Sequence, residues 1–182
     1  MKTILVTGGS GFIGSNVINQ LMQRFKIINL DLSPSDNSDI EQIIGDIRDK
    51  ELVNQAVEKC DAIIHLAAQV SVPLSMKNPQ ETFEINVQGT QNVLEYARKH
   101  KIPVVYAGSS SFWGGVYKNP YTFSKWQGEE LCKMYEQIYG LNITICRFYN
   151  VYGDFMPTEG EYRTALPIFL EQYKKGHMLT IT

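Results

Sequence analysis

Thr3-Ile-Leu-Val-Thr-Gly-Gly-Ser-Gly-Phe-Ile-Gly14 is the stretch on which the fold turns. Thr3 to Thr7 is a short apolar, β-branched run with no polar alternation, the pattern of a strand covered on both faces. Gly8, Gly11 and Gly14 follow at once and open a helix predicted over about Gly11–Arg24. A pyrophosphate must come close to backbone N–H groups at a helix N-terminus, where side chains would block it. Gly8 suits the tight turn, Gly11 the close approach and Gly14 the packing of helix on strand. A glycine-rich turn without a ligand is the plain alternative; the strand before it and the helix after it favour the phosphate.

Outward from this turn, strands alternate with helices. Lys26–Leu30 reads as a second buried strand, Glu41–Ile44 as a weak third, Asp61–Ala67 as a fourth, Ile102–Ala107 as a fifth and Asn142–Phe148 as a sixth. Helices are predicted over Asp49–Lys59, from the Asn78-Pro79 cap to about His100, over Tyr121–Tyr139 up to Gly140, and over Arg163–Lys175. Met178–Thr182 reads as the start of a further strand. Pro34–Asp39 and Gly108–Tyr121 read as irregular. The pattern predicts an α/β fold: a Rossmann-type, doubly wound, mostly parallel sheet with helices on both faces, in one domain spanning 1–182.

Composition narrows the classes. The chain has 182 residues, 43% hydrophobic and 20% charged, with a net charge of −2, so no general basic surface for nucleic acid is indicated. Three dispersed cysteines (Cys60, Cys132, Cys146) form neither a metal-ligand spacing nor a disulfide framework, and no metal is expected. No apolar run approaches the roughly 18 residues of a membrane span, and the early glycines interrupt any signal-peptide core. A cytoplasmic setting is the expectation.

Asp31 closes the second strand about 20 residues beyond Gly11. A carboxylate there accepts from the adenosine ribose hydroxyls and repels a 2′-phosphate, which favours NAD over NADP. Asp46 can accept from the adenine amino group or serve as a turn residue, while Asp49 caps the next helix. Tyr121 and Lys125, four apart, share one helix face near its start. A nearby ammonium favours the phenolate, so the pair can act as general base and acid at a sugar hydroxyl. Ser109, Ser110 and Ser111 end the fifth strand, where such sheets bind ligands; they can hydrogen-bond a reacting oxygen or merely satisfy the loop backbone. His65 reads as a core histidine, and Trp113 and Trp126 as packing residues, Trp113 near the pocket mouth.

Together TGGSGFIG, Asp31, GDIRD (Gly45–Asp49), HLAA (His65–Ala68), Asn86 in NVQGT, YAGSSSFWG (Tyr106–Gly114), YTFSK (Tyr121–Lys125) and RFYNVYG (Arg147–Gly153) resemble the extended short-chain dehydrogenase/reductase family in its nucleotide-sugar branch. The resemblance implies that Gly8, Gly11, Phe12, Ile13 and Gly14 hold the pyrophosphate of NAD, that Asp31 holds the ribose, that Asp46 and Ile47 flank adenine, and that Leu66, Ala67 and Ala68 line the cofactor. It implies Ser109, Tyr121 and Lys125 as catalytic residues, Lys125 also at the nicotinamide ribose. Ser109, Ser110, Tyr121 and Asn150 would contact substrate, and Asn86 would support the site. Dehydratases of the family carry acidic residues after the catalytic Ser/Thr, where Ser110 and Ser111 stand here; the serine run resembles the 4-epimerases. The reaction implied is oxidation and re-reduction at C4 of a nucleotide sugar, a UDP-hexose, with Tyr121 taking the hydroxyl proton. A dehydratase or reductase, or an NAD-binding module inactive without a partner, are the alternatives. Two departures stand out. The chain stops near the start of the family's substrate-binding region, about 154–182, so most of a C-terminal lobe is expected to be lacking. The loop Gly114–Tyr121 is short. The resemblance also implies a homodimer formed through the helices near Pro79–His100 and Tyr121–Tyr139.

Overall fold

Six short apolar runs find partners in a single sheet. In the computed structural model, which describes residues 1–157 and 165–180, the strands are β1 (Thr3–Thr7), β2 (Lys26–Asp31), β3 (Glu41–Ile44), β4 (Ala62–His65), β5 (Val104–Ser109) and β6 (Ile143–Phe148). All neighbours are parallel, in the order β3-β2-β1-β4-β5-β6. The chain therefore winds outward from β1 to one edge, returns, and winds to the other. The crevice beside β1 and β4 is the switch point where such sheets bind ligands.

Alternation along β1 divides the core. Leu5 faces a large cluster with Ile28, Leu30, Ile63, Val93, Leu94 and Tyr106 beneath helices α2 (Lys50–Val57), α5 (Thr90–His100) and α6 (Pro120–Tyr139). Ile4 and Val6 face a smaller cluster with Ile18 and Ile27 beneath α1 (Phe12–Leu21). Each fully buried aliphatic side chain contributes roughly 1.5–3 kcal/mol. Both faces of the sheet thus act as core, which is why β1 carries no polar alternation.

Local chemistry sets the helix ends. The Asp49 carboxylate accepts from the Glu51 and Leu52 N–H groups and starts α2. Asn119 caps α6 through Thr122 N–H, at 2.8 Å, and Gly140 closes it at φ 67°.

Several expectations are corrected. A short helix absent from the sequence reading, α3 (Val72–Lys77), starts at Ser71, whose hydroxyl accepts from Leu74 N–H. The Asn78 side chain makes no cap; its carbonyl instead accepts from the N–H and the hydroxyl of Thr82. The helix from Pro79 is not uniform. It runs as α4 (Pro79–Phe83), widens to a π-helical turn over Glu84–Gly89, and resumes as α5. α1 stops at Leu21 rather than near Arg24. The Gly108–Tyr121 loop holds two 3-10 turns, Ser110–Gly114 and Val116–Lys118. α7 covers Ala165–Lys174; the Arg163 and Thr164 part of its expected span lies outside the described residues. Met178–Thr180 forms no strand, its Thr180 being tied to the Gln172 side chain, and residues 181–182 lie outside the described set.

Candidate active site

The carboxyl ends of β1, β2, β4, β5 and β6 open onto one cleft of about 910 Å3. Every cofactor, catalytic and substrate residue expected from the sequence lines it: Gly8, Gly11, Phe12, Ile13, Gly14, Asp31, Asp46, Ile47, Leu66, Ala67, Ala68, Ser109, Ser110, Tyr121, Lys125 and Asn150.

The glycine turn shapes one end. Gly8 sits at φ +74°, a conformation that side chains resist, and a Cβ there would come within 2.6 Å of Ala67 N. A Cβ on Gly14 would run into the Gly8 carbonyl and Gly9. Gly11 differs: a Cβ would meet only the Gly8 carbonyl, at 3.4 Å, so this part of the turn is open. α1 begins there with no side-chain cap and no acidic residue in its first turn. Its uncapped N–H groups and positive dipole end suit a phosphate. The Asp31 carboxylate accepts from Ser10 N–H at 3.0 Å and Ser33 N–H at 3.2 Å, which holds it at the rim between turn and loop. These features fit a dinucleotide: an open anion cradle and, beyond it, a fixed carboxylate for ribose hydroxyls.

Asp46 carries more than the sequence suggested. Its Oδ1 accepts the Arg48 N–H at 2.8 Å and its Oδ2 the Arg48 guanidinium at 2.6 and 2.9 Å. The guanidinium hydrogen bond holds this carboxyl below its ordinary range. Ile47 is buried, and its carbonyl accepts from Asn92.

At the other end, Tyr121 and Lys125 lie in the first turns of α6. Lys125 is 6% exposed, its ammonium 4.4 Å from the centre of the Tyr106 ring. Burial pushes its pKa down to about 8. The ammonium is then still mostly charged at neutral pH and available to favour a phenolate. The Ser109 hydroxyl donates to Ser111 Oγ at 3.0 Å and accepts from Ser111 N–H at 3.2 Å, which starts the first 3-10 turn.

Behind the cleft lie two buried anchors. Asn86, on the π-helical turn, accepts from Gln69 N–H at 2.8 Å and donates to the Gln69 carbonyl at 2.9 Å and to Ser124 Oγ at 3.0 Å. It thereby joins the loop after β4 to α6. His65 bridges Thr7 Oγ1 at 2.6 Å and Thr90 Oγ1 at 3.0 Å, as a core histidine should. Burial, and then the Lys125 charge, hold its pKa down at about 3. Trp113 does not pack inward; it is 67% exposed and lies against Phe112.

Sequence reasoning missed Glu129 and Arg147, which meet behind Ser109. A signal existed for the first: Tyr121, Lys125 and Glu129 repeat at four residues, on one helix face. The pairing of Glu129 on α6 with Arg147 on β6 had none. Among the described residues, no cluster of His, Cys, Asp and Glu could hold a metal, and no helix is long and apolar enough to cross a membrane.

Sheet order, glycine turn and rim carboxylate define a dinucleotide-binding α/β protein of the short-chain dehydrogenase/reductase type. More narrowly, the chain belongs to the NAD dependent epimerase/dehydratase family, whose model matches residues 4–182. A Methanocaldococcus jannaschii protein with the provisional name of UDP-glucose 4-epimerase is 37% identical over 196 residues, 95% of this chain and 63% of its own length. The UDP-glucose 4-epimerase of Thermus thermophilus, solved with NAD, superposes with a TM-score of 0.83 at 33% identity, over 96% of this chain and 63% of that one. That of Thermotoga maritima, solved with UDP-glucose, reaches 0.87 at 28% identity, over 96% and 64%. dTDP-glucose 4,6-dehydratases match as well. The chain thus spans a little under two thirds of the length of these three proteins.

Proposed function

We propose that this chain performs NAD-dependent epimerisation of a nucleotide sugar, a UDP-hexose at C4, by transient oxidation to a 4-keto sugar. One observation carries the reading. The end of β5 presents only hydroxyls, Ser109, Ser110 and Ser111, beside Tyr121 and Lys125 in the same cleft. Removal of water from a sugar needs an acid and a base of its own, and serines at 110 and 111 supply neither.

The residues divide the work. Tyr121 takes the C4 hydroxyl proton and later returns it. The Lys125 ammonium, one helical turn on, stabilises the phenolate in between. The Ser109 hydroxyl, now engaged with Ser111, turns to hold the reacting oxygen. Asn150 at the end of β6 and Ser110 hold the sugar. Gly8–Gly14 and Asp31 fix the pyrophosphate and ribose of NAD, with Ile47 beside adenine and Leu66–Ala68 along the cofactor. When bound, NAD supplies the acceptor and donor for the two electrons exchanged at C4. Two copies pair through the stretch from Pro79 to His100 and through α6, where Ile138 and Tyr139 are exposed; light scattering reads this.

The test incubates the purified chain with NAD and UDP-glucose, UDP-galactose or their N-acetyl counterparts and resolves the products. Interconversion within a pair that Tyr121→Phe abolishes, with NAD binding kept, is the expected result. NAD binding without interconversion overturns the epimerase reading. It would leave a second one, a domain that turns over only with further protein, favoured by the share of its relatives' length that the chain spans.

A further inference from the structure

Glu129 is 2% exposed, and no other Asp or Glu among the described residues is buried. A carboxylate held away from water is costly unless its oxygens are paired. Here every pairing leads to the candidate active site. Oε1 accepts the Ser109 N–H at 3.2 Å. Oε2 accepts the Arg147 Nε at 2.9 Å and Nη2 at 2.8 Å. Arg147 stands on β6 opposite Gly108 of β5, and its guanidinium stacks 4.5 Å from the Phe112 ring of the first 3-10 turn. Gly108 leaves the space: a Cβ there would lie 2.6 Å from Glu129 Oε1. One carboxylate thus joins α6, the end of β5, β6 and the serine turn.

Glu129 also lies one helical turn beyond Lys125; the effect of burial on that ammonium is opposed first by Cys132 and then by the Glu129 charge. Other titratable groups face Lys125 from α6, β4 and β5. Burial pushes the Cys132 thiol of α6 up to about 12 and the Tyr106 phenol of β5 up as well, so both are neutral near pH 7. His65 of β4 is neutral too. Tyr121 of α6 is the group whose proton the reaction moves. Arg147 faces Glu129 from the far side.

We infer that Glu129 is a positioning residue for the reaction proposed above, on which this inference rests: it fixes the Ser109 backbone against α6 and supplies the standing negative charge that faces the Lys125 ammonium.

Glu129→Gln in the full chain, saturated with NAD, tests this. The variant keeps size and an acceptor for Ser109 but removes the charge. The Lys125 side-chain resonance, assigned by its loss in Lys125→Arg, titrates near 8 in the parent chain and at lower pH in the variant. With UDP-glucose, kcat falls on the order of tenfold and its alkaline limb moves to lower pH, while KM changes less than about threefold. Glu129→Asp restores the charge but not the reach, so the Lys125 titration returns and kcat stays reduced. A folded Glu129→Gln chain with the parent's Lys125 titration and pH profile overturns the inference. Should Glu129→Gln fail to fold, Glu129→Asp decides, and the parent's kcat in it overturns the inference. If the parent chain turns over no sugar, the reaction fails as a proposal, and the Lys125 titration alone upholds or overturns the charge role of Glu129.

Discussion

His65→Gln should flatten the acid side of the stability profile. His65 sits at 1% exposure between two threonine hydroxyls, its ring 5.8 Å from that of Tyr106. Its pKa is held at about 3, against 6.5 for a free imidazole, first by burial and then by the Lys125 charge. The folded state therefore keeps this histidine neutral while the unfolded chain takes up a proton. Stability is fully present above pH 6.5 and is lost as pH falls toward 3, because the unfolded state binds more protons in that window. Between pH 7 and pH 5 the single site costs about 2 kcal/mol of unfolding free energy. Most carboxylates titrate below this range, and the difference between parent and variant cancels every other group, so it isolates this imidazole. Urea unfolding followed by circular dichroism at pH 7, 6 and 5 reads the slope. The substitution lowers stability throughout, since it loosens the bridge between β1 and α5, but the slope is the test. If parent and variant lose the same free energy over this range, His65 is not held neutral, and the reading of the buried Thr7–His65–Thr90 bridge is refuted.

Two further outcomes concern the cofactor. Asp31→Asn removes the charge at the rim, so calorimetry should find NAD binding weakened by about 1.5–3 kcal/mol and discrimination against NADP reduced. Gly14→Ala drives a methyl group into the Gly8 carbonyl and Gly9; the turn must open, and NAD affinity should fall by more than tenfold in the same assay, with the α/β circular dichroism retained.

Much of this was readable in the chain, and the reasons differ by element. β1 and β2 announce themselves because burial on both faces removes polar alternation. The phosphate turn is readable because Gly8 and Gly14 answer local demands, a positive φ and a close approach, that act within a few residues. α3 was missed because six residues holding Pro73 show too little periodicity. Met178–Thr182 was expected to start a strand, yet the Gln172 side chain bonds both the N–H and the hydroxyl of Thr180, and Met178–Thr180 forms none. Glu129 and Arg147 are 18 residues apart, and nothing local says that α6 and β6 will present them to each other. Asp46 is placed in the cleft as its spacing suggested, but its grip on Arg48 depends on a turn geometry that spacing alone does not reveal.

The π-helical turn at Glu84–Gly89 has a consequence for the history open to this chain. Such a turn is an α-helix with one residue too many. Delete that residue, and the helix relaxes to even winding, with everything beyond it rotated by about 100° relative to what came before. Asn86, within the turn, faces Gln69 and Ser124, and Thr90, just beyond it, faces His65. Even winding cannot serve both. The surplus residue works as a gauge block between two machined faces, and lineages that lose it must rebuild one face or the other.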